Sequence, residues 1–328
     1  MEYRRLGNTE LQLSAITYGA FAIGGNMWGG NEKKDSIASI HASLDNGVTT
    51  IDTAPFYGFG LSEEMIGEAL KGKDRTKVQL LTKFGLVWDG SNSGNGEYFF
   101  DAQDNGRNIP VYKYGAKANI VKELEESLRR LKTDYVDLLQ LHWPDNTTPV
   151  DETMDTLNRL IQQGKIKAAG VSNYNLQQLH EAENTIGLAS NQVSYSMLNR
   201  AIEKDVLPYS IERNISIIAY SPMERGLLTG KYFKDSKLKN DDHRNGYFEQ
   251  FQLDKVADFL AKITPIAKGT NATLAQLVLR WTTLQKGITV VLAGARNAEQ
   301  AVSNAQSMDI DITPEEMAFI NKELSLIN

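Results

Sequence analysis

The chain has no cysteine among its 328 residues, which excludes disulfides, thiolate metal centres and a cysteine nucleophile and fits a reducing compartment. It has no basic excess either: 35 Lys and Arg stand against 41 Asp and Glu, and with no basic cluster no nucleic-acid or anionic-membrane partner is expected. No apolar run approaches the roughly 18 residues of a membrane span, and Met1 to Leu6 carries no apolar leader core. The expected address is therefore cytoplasmic. Only four histidines are present; His41 and His180 fall in predicted helices, His243 in a charged loop, and none has metal-ligand spacing, so no metal is expected. What the chain does have is 41% hydrophobic residues, enough for a full core without external staples, and one domain over 1–328 is expected.

Strand and helix patterns alternate along the chain. Tyr3 to Leu13 reads as a capping hairpin and Ala15 to Tyr18 as the first core strand. Further strands are predicted at 48–51, 78–82, 136–141, 168–171, 192–195, 216–220 and 288–292, each followed by a helical pattern, with an extra helix from Pro314 to Leu324. Strict alternation demands parallel strands with crossover helices, and eight such units close into a (β/α)8 TIM barrel. A doubly wound sheet is the alternative, but no G-x-G-x-x-G follows a strand. Two segments, Leu86 to Lys117 and Leu227 to Phe251, are longer than ordinary βα loops and read as functional or mobile.

Barrel active sites lie at the C-terminal strand ends. Those of the second, third and fourth strands carry Asp52 with Tyr57, then Lys83, then His142. A lysine cation beside a tyrosine stabilises its phenolate, a buried ammonium needs an anion such as Asp52, and a histidine can orient a substrate oxygen. A desolvated Lys83 could alternatively form a Schiff base, as in an aldolase.

The runs Asp52-Thr53-Ala54-Pro55-Phe56-Tyr57-Gly58, Thr82-Lys83, Leu141-His142-Trp143-Pro144-Asp145, Gly170-Val171-Ser172-Asn173-Tyr174, Tyr220-Ser221-Pro222 and Gly226-Leu227-Leu228-Thr229-Gly230-Lys231 together resemble the aldo-keto reductase family over nearly the whole chain, within a bacterial branch that also resembles potassium-channel β subunits. The resemblance implies nicotinamide-dependent reduction of an aldehyde or ketone by hydride transfer, with Tyr57 as general acid, Asp52 and Lys83 tuning it and His142 placing the carbonyl. A cofactor-bound redox-sensing subunit is the alternative it allows.

It further implies that Ser172, Asn173 and Gln192 hold the nicotinamide carboxamide, that Tyr220 stacks on its ring, and that Ser221, Pro222, Met223, Gly226 and Lys231 meet the pyrophosphate. Gly19, Ala20 and Phe21 join the cofactor side. Gly226 to Lys231 is not a Walker loop, because Arg225 stands where the first glycine belongs and Tyr232 replaces the Ser/Thr. The adenosine end falls on Gly294, Arg296, Gln300 and Asn304. A helix N-terminus with the Arg296 fork suits the 2′-phosphate of NADP, although Gln300 stands where several relatives carry an arginine, so NAD stays open. Phe21, Met27, Trp28, Trp88 and Trp143 are expected to form an apolar substrate wall.

Overall fold

The computed structural model describes residues 1–25, 32–104, 106–233 and 244–327. Its strands are β1 Tyr3–Arg5, β2 Gln12–Ser14, β3 Ile16–Gly19, β4 Thr50–Asp52, β5 Gln79–Phe84, β6 Leu86–Val87, β7 Glu97–Asp104, β8 Arg107–Lys113, β9 Val136–Leu141, β10 Ile166–Ser172, β11 Ser190–Ser194, β12 Ser216–Tyr220 and β13 Ile288–Gly294. The helices are α1 Lys33–Asp45, α2 Leu61–Ala69, α3 Lys117–Leu131, α4 Val150–Gln162, α5 Leu176–Glu183, α6 Val206–Arg213, α7 Arg244–Phe248, α8 Leu253–Gly269, α9 Leu274–Thr283, α10 Ala298–Gln306 and α11 Pro314–Leu324. Eight parallel strands, β3, β4, β5, β9, β10, β11, β12 and β13 in sequence, form a closed barrel whose last strand pairs with its first, Gly294 opposite Gly19. The fold is a TIM barrel.

Strand parity sorts the barrel interior into levels, because residues two apart share a face. Leu81, Leu138, Ala168, Ile218, Val290 and Leu292 form the inner apolar cluster. The β1–β2 hairpin plugs it from below with fully buried Leu6 and Leu13. Two residues further along the same faces stand Lys83, Gln140, Gly170, Tyr220 and Gly294. Apolar packing thus occupies the floor and polar chemistry the mouth. The larger core lies between strands and helices, where the amphipathic faces of α3 and α4 bury Ile120, Leu124 and Leu128 and Met154, Leu157 and Leu160. The C-terminal α11 is closed at its start by a Thr313/Glu316 capping box with Pro314 at the first turn.

Two loop assignments change. Leu86 to Lys117 is not irregular: β6, β8 and β7 form a three-stranded antiparallel sheet, with Leu86, Ala102 and Val111 buried beneath it. From Leu227 to Phe251 the described residues include the end of a 3-10 turn at Glu224–Thr229, a second at Lys231–Phe233 and the short α7. Met27, Trp28 and His243 lie outside the described residues. Among the described residues no helix is long and apolar enough to cross a membrane.

Candidate active site

Four of the expected residues converge inside the barrel mouth. Lys83 is on β5 itself, one strand from β4, and its Nζ donates to Asp52 Oδ1 at 2.7 Å, to the Thr53 carbonyl at 2.8 Å and to the Tyr57 hydroxyl at 3.2 Å. Its side chain is 0% exposed and that of Asp52 2%, so the pair is shielded from water. The other Asp52 oxygen accepts from Gln192 Nε2 at 2.7 Å across the barrel. Thr53 was not foreseen, since a backbone carbonyl leaves no mark in a sequence; its hydroxyl also pairs with Ser62, which pins the loop to the start of α2.

The loop carrying Tyr57 folds tightly for a steric reason. Gly58 has φ +65°, and a Cβ there would stand 1.9 Å from the Gly24 carbonyl oxygen. Only glycine lets those two backbones meet. On the far side, the His142 ring packs edge-on to Tyr57 with centroids 5.8 Å apart. Its backbone N–H donates to the Phe84 carbonyl, beside Lys83, and its carbonyl accepts from Asn173 Nδ2 at 3.1 Å.

Burial pushes the Tyr57 phenol up, Lys83 pulls it down, and Asp52 adds to the rise; the net direction is upward. The lysine therefore opposes desolvation without overcoming it, so the sequence-based expectation of a lowered phenol holds for its contribution and not for the sum. Burial also pulls the Lys83 ammonium down, but Asp52 and Tyr57 more than offset this and leave it raised. Lys83 is held as a cation. His142 is pushed well below its ordinary value by burial and then by Lys83, so its ring is neutral, with one donor and one acceptor nitrogen.

A second arc follows β10, β11 and β12. Ser172 lies in register with Gln192, and its Oγ donates to the Gln192 carbonyl at 2.8 Å. Asn173, at φ +62°, donates through Nδ2 to Ser172 Oγ and accepts through Oδ1 from the Tyr220 hydroxyl at 2.9 Å. Tyr220 is half-buried. The chain then passes through four left-handed residues, Ser221, Glu224, Arg225 and Gly226, with Pro222 buried and Met223 half-buried among them. Such strain concentrates at functional sites and persists where surroundings impose it. Here they do: buried Glu224, missed in the sequence, accepts from the hydroxyls of Ser196 and Tyr247, and the Arg225 guanidinium lies 3.8 Å from the Tyr247 ring centre. Lys231 is exposed beyond them.

The third arc closes the ring. Gly19 and Gly294 face each other, Ala20 is buried, and Phe21 packs on Tyr57 at 4.9 Å between ring centres. Around the start of α10, Gln300 Oε1 accepts from the Arg296 backbone N–H, Asn297 caps the helix, and Asn304 Nδ2 donates to the Gly294 carbonyl. Gln300 and Asn304 thus shape this loop from within. Trp88 packs on Phe56 and Phe59, and Trp143 on Phe99, in one aromatic cluster whose Phe56 and Trp143 are the chain neighbours of Tyr57 and His142.

Comparison with known proteins agrees with this geometry. A Bacillus subtilis aldo-keto reductase, YhdN, is 37% identical over 98% of this chain and 93% of its own. The NADH-specific methylglyoxal reductase of Escherichia coli is 34% identical over 94% of each chain. Among solved structures, the glycerol dehydrogenase of Gluconobacter oxydans superposes with a TM-score of 0.86 at 35% identity, covering 99% of this chain and 95% of that one. The model of the aldo/keto reductase family matches residues 15–324, and on all these grounds the chain belongs to that family and is a reductase of carbonyl compounds.

Proposed function

We propose that this chain reduces an aldehyde or ketone to the alcohol with Tyr57 as proton donor, Lys83 and Asp52 as its electrostatic support and His142 as the residue that places the carbonyl oxygen. The observation that carries this reading is the Lys83 ammonium, fixed between Asp52 and Tyr57 by bonds of 2.7 and 3.2 Å in a water-shielded barrel mouth. A bound nicotinamide supplies the hydride. The Tyr57 hydroxyl gives its proton to the carbonyl oxygen, and the nearby cation lowers the cost of the phenolate left behind. Neutral His142 donates one hydrogen bond to the same oxygen and so fixes its direction. A Schiff-base role for Lys83 is disfavoured, because an ammonium donating three hydrogen bonds and held in its charged form offers no nucleophilic lone pair. The complete set of four side chains favours turnover over a sensor with little chemistry.

The residues present suit a nicotinamide dinucleotide. Ser172, Asn173 and Gln192 offer the mixed donors and acceptors a carboxamide needs, and Tyr220 offers an aromatic face. The facing glycines leave backbone accessible: Gly294 is exposed and Gly19 half-buried where their strands pair. Ser221, Pro222, Met223, Gly226 and Lys231 would meet the pyrophosphate. For the adenosine end we choose NADP over NAD, since Arg296 brings a guanidinium to the start of a nine-residue helix. The E. coli relative's NADH specificity makes this choice worth testing. Arg296→Ala should reduce kcat/KM for NADPH by roughly 10- to 100-fold, a charge-assisted hydrogen bond's worth, and leave NADH almost unchanged. Equal losses, or a wild type preferring NADH, would sink it.

A further inference from the structure

The β7–β8 hairpin contains an irregularity that bears on which carbonyls can enter. Tyr98 pairs with Tyr112 and Phe100 with Val111, so Phe99 is an extra residue, a β-bulge. Alternation would send Phe99 and Phe100 to opposite faces; a bulge cancels one step and turns neighbouring side chains to the same side. The ring contacts follow that rule. Phe99 and Phe100 touch each other at 5.0 Å between centres, Phe99 packs on Trp143 at 5.2 Å, and Phe100 packs on Phe56 at 5.7 Å. Phe56 directly precedes Tyr57 and Trp143 directly follows His142, so one unbroken row of rings joins the two loops that hold the proton donor and the carbonyl-placing histidine.

The hairpin is bolted in place at the same end. Glu97 and Lys113 are opposite each other across the strands and ion-paired at 2.7 Å, and Lys113 Nζ also lies 5.3 Å from the Phe99 ring centre. Glu97 additionally accepts from Asn146 Nδ2, in the loop after Trp143. A wall tied on both sides has little freedom to yield to a large substrate, which is the condition for excluding by size.

We infer that Phe99, aimed by the bulge and backed by Phe100, is the specificity-determining residue that caps the size of the group attached to the substrate carbonyl, and that this reductase is built for compact aldehydes and ketones. The inference rests on the reductase reading, so propanal turnover by the wild type is measured first; with no turnover of any aldehyde or ketone both fall. The test is then the ratio of kcat/KM for 2-naphthaldehyde to that for propanal. Phe99→Ala should raise this ratio at least tenfold, about the value of a small volume change in an apolar pocket. Phe99→Leu should move it the same way by less, which keeps the test available should the alanine variant not fold. Tyr98→Ala, on the exposed neighbour whose ring packs on Tyr112, should leave it unchanged. An active wild type with an unchanged ratio in folded Phe99 variants, or an equal change in Tyr98→Ala, overturns the inference while leaving the reductase reading intact.

Discussion

Replacing Lys83 by methionine isolates the electrostatic centre, because it keeps most of the side-chain volume and deletes only the charge and its donors. Asp52 would then remain 2% exposed with Gln192 on one oxygen and no cation on the other. Removing one partner of a buried ion pair costs about 3–5 kcal/mol, because the remaining charge stays desolvated. At roughly 1.5 °C per kcal/mol for a chain of this length, Tm should fall by at least about 4 °C. The pair itself can be nearly neutral against apolar replacements of equal volume. Asp52→Asn combined with Lys83→Met should therefore recover most of the loss. Denaturant titrations of wild type, single and double variants, with thermal scans beside them, measure both effects. A Lys83→Met protein within about 1 kcal/mol of wild type, or a double variant no more stable than the single one, would refute the claim that these charges hold each other.

Two further expectations concern the supports behind the site. Glu123, buried on α3 and accepting from the Gly85 backbone N–H and Asn119, is pushed up to about 8 by burial from an ordinary 4.5; a raised folded value means its stabilising contribution is complete below the ordinary value and is lost as pH rises through about 8. Glu123→Gln should flatten the fall in stability across that window in urea titrations at pH 5.5 and about 8, and an unchanged slope would remove Glu123 from the account. Gly58→Ala must displace the Gly24 carbonyl that its Cβ would meet at 1.9 Å, so at least about 1–3 kcal/mol of stability should go, together with activity; a variant matching wild type in both would show that this backbone contact is not needed.

The barrel was legible because most of its strands are short β-branched or apolar runs that alternate with amphipathic helices, signals that do not depend on distant partners; β11, Ser190-Asn191-Gln192-Val193-Ser194, is an exception. Convergence of Asp52, Tyr57, Lys83 and His142 was legible from strand order alone, since neighbouring parallel strands bring their C-terminal ends together. The sheet over the mouth was not. Its bulge at Phe99 breaks the alternation that marks a strand. Thr53 acts through a backbone carbonyl and Glu224 through contacts made possible by left-handed backbone, and neither property is written in residue type. The sign of the Tyr57 perturbation also depends on burial depth, which a sequence does not carry.

Tyr57→Phe tests the central claim most directly, because it removes one oxygen and its proton from a ring that otherwise stays packed on Phe21 and His142. Reduced-cofactor affinity, followed by nicotinamide fluorescence, should remain close to wild type, while aldehyde-dependent cofactor oxidation should fall by about 10²- to 10⁴-fold, the usual worth of a positioned general acid. Turnover within a few-fold of wild type under conditions where chemistry limits the rate would contradict the assignment of Tyr57 as the proton donor.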